Sequence, residues 1–197
     1  YAMVQTIMRD FPDYVPNTYL QYYLYPEQVV AQLDPDHTRT EEVRNGREKR
    51  VFTQCRQAAR QGSTKGLTIA KSEVHADMIV EVASSIAFDK GELFIMITRN
   101  NGTVSNFHED AMVETAAHVG ANGVTAVPFG KIDVFMKGLM EGQYAYEHLT
   151  VDSYFEGSYK KALQALTLNR TLVDAQKAKA VLDDLIDANQ DYWPELK

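Results

Sequence analysis

Val113-Glu-Thr-Ala-Ala-His-Val119, then Gly120-Ala-Asn-Gly123, then Val124-Thr-Ala-Val-Pro-Phe129 is the run that decides the fold class. Two β-prone stretches flank a glycine-bounded pair, which is a hairpin-type turn signal. Upstream, Leu93-Phe-Ile-Met-Ile-Thr98 is an apolar, β-rich run that stops at Asn100-Asn-Gly102. Three strands therefore gather mid-chain, and the sheet should be small and mostly antiparallel. Helices should lie on both sides. Glu73 to Phe88 carries Met78, Ile79, Val82, Ala83 and Ile86 on an expected inner face. From Lys131 the pattern turns helical, with Phe135, Leu139, Met140, Tyr144 and Leu149 opening one long stretch to about Leu168. Asp174 should cap a last helix that buries Ala178, Val181, Leu182, Leu185 and Ile186. Strands and helices are segregated rather than alternating, so the class is α+β and not a βαβ series.

The amino-terminal third reads as helices and turns. Residues 1–9 form a helix with Met3, Val4, Ile7 and Met8 on one side, closed by a loop holding Pro12 and Pro16. Leu20 to Leu33 is a helix bent or split at Pro26, and Asp34-Pro-Asp36 is a turn. A helix follows from about Thr38 to Gln61, with Val43, Val51, Phe52 and Cys55 expected inward and Gly46 weakening it. Residues 61–66 are a surface loop. The chain opens at Tyr1 without methionine and already inside a helical pattern. That predicts a piece of a longer polypeptide.

Composition narrows the function classes. The net charge of −7 disfavours a nucleic-acid surface, and the basic run from Arg44 to Arg50 is interrupted by Glu48. Cys55 is the single cysteine, so no internal disulfide or cysteine-rich zinc site is available, and a reducing compartment, the cytoplasm, is expected. No apolar run approaches the roughly 20 residues that span a bilayer. Neither Gly-x-Gly-x-x-Gly after a strand nor Gly-x-x-x-x-Gly-Lys occurs, so the chain carries no nucleotide-phosphate loop of its own.

Chemistry concentrates near Pro16-Asn-Thr-Tyr-Leu-Gln-Tyr-Tyr-Leu24, where Tyr19, Tyr22 and Tyr23 follow a turn. His37-Thr-Arg39 comes one element later. A tyrosine at the start of an ordered element and a nearby arginine suit proton transfer beside an anion. Read from the residues alone, Tyr19 is first of all a packing or substrate-stacking ring, and Arg39 a surface residue. Arg39 is nevertheless placed in the first turn of a helix, where its charge opposes the dipole. Tyr22 and Tyr23 are expected to pack. His37 is expected to cap, His75 to cap or lie at an interface, and both glycine-bearing segments to be turns.

Pro16 to Pro26, His37-Thr-Arg39, Gly46-Arg-Glu48, Asn100-Asn-Gly102, Lys137-Gly-Leu-Met-Glu141, Gln164 to Arg170 and Asp191-Tyr-Trp-Pro194 together resemble glycoside hydrolase family 4, in its 6-phospho-α-glucosidase branch. The likeness covers nearly the whole chain in order, with a departure where Thr115-Ala-Ala-His118 and Val124-Thr-Ala-Val127 replace Pro-rich and Cys-containing residues. The resemblance implies a carboxy-terminal domain similar to that of lactate and malate dehydrogenases, preceded in the full enzyme by an NAD-binding Rossmann domain. It implies a divalent metal, usually manganese, whose cysteine and histidine ligands lie upstream of Tyr1. It also implies a phosphorylated disaccharide substrate, cleaved by redox-assisted elimination, and a homo-oligomer.

Carried onto this chain, the resemblance makes Tyr19 the base that removes the C2 proton and Arg39 the contact to the substrate's 6-phosphate. The base role is demanding: a free tyrosine is ionised about once in a thousand at pH 7, a deficit of roughly 4 kcal/mol. Nearby cations can supply that. A guanidinium suits a phosphate dianion through paired charge-assisted hydrogen bonds. The fragment alone should be inactive. A non-catalytic oligomerisation domain built on the long helix is the competing expectation, and a related family-4 branch acting on another sugar is a third.

Overall fold

The computed structural model describes residues 2–68, 74–172 and 174–197; Glu73, where a helix was expected to start, lies outside them. The chain divides into two compact units. One combines the chain up to Leu33 with Ile132–Lys197, and the other is Asp34–Lys131.

The first unit is helical. Helix α1 (Ala2–Asp10) buries Ile7, while Met8 stays exposed. The bend at Pro26 is real. A 3-10 turn at Thr18–Leu20 runs into α2 (Gln21–Leu24), the chain breaks at Tyr25, and α3 (Pro26–Ala31) restarts with proline in its first turn. Asp133 caps α7 (Val134–Glu156) by accepting from the N–H groups of Phe135 and Met136 at 2.9 and 3.0 Å. Phe11 stacks on Phe135 with ring centroids 5.5 Å apart. The expected single stretch to Leu168 is two helices. Gly157 ends α7 in the left-handed region and Ser158 caps α8 (Tyr159–Leu168). Glycine is needed there twice over, since a Cβ would also lie 2.9 Å from the carbonyl oxygen of Glu195. Asp174 caps α9 (Ala175–Ala188), as expected, through the N–H of Lys177 at 2.8 Å. Ala162, Ala165, Ala178 and Leu182 form the buried seam of α8 and α9, whereas Leu185 is partly exposed.

The second unit holds the sheet. Thr38 caps α4 (Arg39–Glu42), which continues through a π turn at Val43–Arg47 into α5 (Glu48–Gln61). Gly46 sits inside that π turn, so the expected weak point is a local widening of the helix. Its expected inner face is uncovered: Val43, Phe52 and Cys55 are exposed, and α5 buries no residue.

Helix α6 (Val74–Ala87) leads to β1 (Glu92–Arg99), β2 (Met112–Gly120) and β3 (Gly123–Ala126). They form an antiparallel meander in the order β1-β2-β3, with Phe94 opposite Ala117 and Ala117 opposite Ala126. Gly120 faces Gly123 across the two-residue turn, and the Asp89 carboxylate accepts from the Ala121 N–H at 2.9 Å. A Cβ on Gly120 would lie 2.7 Å from that carboxylate. β3 is shorter than expected, although the Val127 N–H still donates to the Ala116 carbonyl at 2.8 Å.

Burial alternates along β2: Val113, Thr115, Ala117 and Val119 point inward. α6 meets this side through Ser85, not through the expected Met78, Ile79, Ala83 and Ile86. The Ser85 hydroxyl donates to the carbonyl of Val119 at 2.7 Å and accepts from the Glu92 N–H. Ile79 is 68 % exposed, and Met78, Ala83 and Ile86 are exposed too. The helix is apolar around most of its circumference, and a sheet can cover one face of it. Among the described residues no helix is long and apolar enough to cross a membrane.

Candidate functional site

Tyr19 is set by its turn. The Asn17 side-chain oxygen accepts from the N–H groups of Tyr19 and Leu20 at 2.9 and 3.2 Å, an N-cap directly after Pro16. The cap holds the backbone and leaves the ring 70 % exposed. The expectation that Tyr22 packs is corrected: it is 38 % exposed and lines a cleft with Tyr19. Tyr23 does pack. Its hydroxyl donates to the Gln143 side-chain oxygen at 3.1 Å. Burial first, then the charge of Glu147 and the neighbouring Tyr146, pushes its phenol above the usual tyrosine range.

The cleft has a volume of about 330 Å³ and is lined by Tyr19, Tyr22, Tyr23, Gln143 and the turn Asn169-Arg170-Thr171. Arg170 donates through Nη2 to the carbonyl of Tyr23 at 3.0 Å. The Asn169 side-chain oxygen accepts from both the N–H and the hydroxyl of Thr171, which shapes the turn. One guanidinium, amide groups and exposed phenol rings thus share a small concave surface. Gln143 was not singled out from the sequence, and Asn169 and Arg170 stood there only as the end of the Gln164 to Arg170 segment, with no role. Arg170 bonds to a residue 147 positions away, and no local pattern announces such a partner.

Arg39 belongs to the other unit. It is the first residue of α4, and its Nη1 donates to a Glu42 carboxylate oxygen at 2.6 Å, with both side chains well exposed. His37 does not cap; Thr38 does, and His37 Nδ1 lies 2.7 Å from the Asp34 carboxylate. His75 sits exposed in the first turn of α6. Asn100 is fully buried. Its amide N–H₂ donates to the carbonyls of Val104 and His108 at 3.0 Å each, and its oxygen accepts from the Val104 N–H at 2.6 Å. The Asn100-Asn-Gly102 turn is therefore structural. Among the described residues no three His, Cys, Asp or Glu side chains converge as a metal site, and Cys55 stands exposed on α5.

Residues 2–172 match the C-terminal domain of the family 4 glycosyl hydrolases. The chain belongs to that family. The family 4 relatives are close: a 6-phospho-alpha-glucosidase of Leptotrichia buccalis is 50% identical over 94% of this chain and 42% of its own length. A crystal structure of a 6-phospho-alpha-glucosidase from gut microorganisms, in complex with NAD and Mn2+, superposes with a TM-score of 0.89 at 47% identity, over 100% of this chain and 44% of that one. A second such structure, with NAD and glucose-6-phosphate, gives 0.88 at 44% identity over 99% of this chain and 44% of that one. The chain thus spans less than half the length of the family 4 proteins it matches. The α+β reading, mostly helical with a small antiparallel sheet, holds.

Proposed function

We propose that this chain works as the carboxy-terminal, substrate-binding part of a longer NAD- and manganese-dependent 6-phospho-α-glucosidase. The observation that carries this reading is its likeness over its whole length, at 47% identity, to the enzyme crystallised with NAD and Mn2+. The described residues do not themselves compose a metal site. NAD and manganese are assigned to parts of the enzyme outside this chain.

Within the chain, Tyr19 is the proton acceptor for C2 of the sugar. Its geometry supports that role: an N-capped turn holds the backbone while the phenol stays open to a cleft. Pre-set placement lowers the cost of reaching a reactive geometry. Arg39 contacts the 6-phosphate. Its ion pair with Glu42 is exposed, and such pairs contribute little. The guanidinium can therefore turn to a dianion at small cost. A cytoplasmic homo-oligomer completes the reading.

The test is Tyr19→Phe in the full-length enzyme, followed by exchange of the substrate C2 proton with solvent deuterium. Exchange should fall by about a hundredfold or more, the scale of a lost general base, while glucose 6-phosphate still binds. Exchange at the wild-type rate would remove Tyr19 from this role.

A further inference from the structure

The cleft beside Tyr19 contains a cation with no role in the reading so far. Arg170 follows α8 and reaches back across the unit to the carbonyl of Tyr23. That is its one hydrogen bond among the described residues, and no carboxylate there pairs with it. Arg9 and Arg39, by contrast, are tied to carboxylates, Asp10 at 2.7 Å and Glu42 at 2.6 Å. A guanidinium has five N–H donors in a planar fork. Arg170 spends one on the tether, and the rest have no acceptor among the described residues.

The tether has two effects. It joins the donor to the segment that carries Tyr19, so the two stay in register. It also restricts a long side chain in advance, which lowers the entropy lost when a ligand binds. Around it stand the rings of Tyr19 and Tyr22 and the amide of Asn169. Ring faces, an amide and an uncompensated guanidinium within about 330 Å³ suit a compact, ring-shaped, anionic molecule.

We propose that Arg170 donates to an anionic oxygen of a sugar phosphate seated in this cleft, and so is a substrate-contacting residue; the proposal rests on the 6-phospho-α-glucosidase reading. The bond to Tyr23 alone would make Arg170 a staple between two segments, and the variants are chosen to separate the two roles. Arg170→Gln removes the charge, and because its amide ends two bonds short of the arginine tip, its melting temperature reports what the bond to Tyr23 contributes. Arg170→Lys keeps the charge and loses the fork.

Calorimetric titration of the full-length enzyme with glucose 6-phosphate, and separately with glucose, reads the result. Arg170→Gln should weaken glucose 6-phosphate by about tenfold or more, the scale of a charge-assisted hydrogen bond. Glucose affinity and the melting temperature should stay as in wild type, and Arg170→Lys should recover part of the loss. Unchanged glucose 6-phosphate affinity in Arg170→Gln overturns the proposal, and so does an equal loss for both ligands. If Arg170→Gln does not fold, Arg170→Lys decides, since wild-type affinity there overturns it as well. Failure of the Tyr19 assignment is distinguishable. Tyr19→Phe with intact deuterium exchange, beside a weakened Arg170→Gln, would remove the base and leave the phosphate contact standing.

Discussion

A single side-chain oxygen of Asn17 receives two backbone N–H groups, and the position of Tyr19 follows from that cap. This much is legible in the Pro-Asn-Thr order, because proline presets the entry and asparagine caps. Arg39 is legible as a first-turn residue of a helix that starts near Thr38. Its partner Glu42 is one turn on and makes an exposed ion pair, so the guanidinium is stabilised weakly. Arg39→Ala in the full-length enzyme should raise KM for phosphorylated substrates by about tenfold or more. An unphosphorylated analogue should be unaffected, and steady-state kinetics with the two substrates checks this. Equal effects on both would argue against phosphate contact. Arg170 was not legible, since its meaning comes from a bond to Tyr23 that only the folded chain creates.

At the scale of elements, the hairpin, the bend at Pro26 and the cap at Asp174 could be read from local chemistry, whereas the cap expected of His37 falls to Thr38. The break between α7 and α8 was also written in Gly157-Ser158, a left-handed end followed by a cap, but continuous apolar residues on both sides masked it. Which face of α6 is buried was not readable. A helix apolar on more than one side does not declare which side its sheet will cover. The β1–β2 connection depends on Asn100, whose buried amide gathers Val104 and His108. Asn100→Ala would strand several of these backbone groups away from water. Chemical denaturation should show a loss on the order of 3 kcal/mol. A loss below about 1 kcal/mol, the scale of an ordinary surface change, would mean that the connection holds itself together.

For the whole molecule, the apolar surface left open matters most. On the outer side of the sheet, Leu93, Ile95, Ile97 and Met112 are exposed, with Ile97 at 66 %. Val134 and Phe155 stand exposed at opposite ends of α7. Apolar patches of this kind mark surfaces that associate. The 197-residue chain alone, given NAD, manganese and a chromogenic 6-phosphoglucoside, should show no turnover. Light scattering on the full-length enzyme should report an oligomer. Turnover by the isolated chain would mean that it holds chemistry assigned above to other parts of the enzyme.

The two units are nested: one is assembled from both ends of the chain, and the other is continuous. During synthesis, α1 to α3 leave the ribosome long before α7, whose Phe135 stacks on Phe11, and before the residues that hold Tyr23. At roughly 5–20 residues per second, Asp34–Lys131 takes several seconds to emerge. The sheet-bearing unit can thus fold first, while the tyrosine segment waits for Gln143 and Arg170 and is open to chaperones.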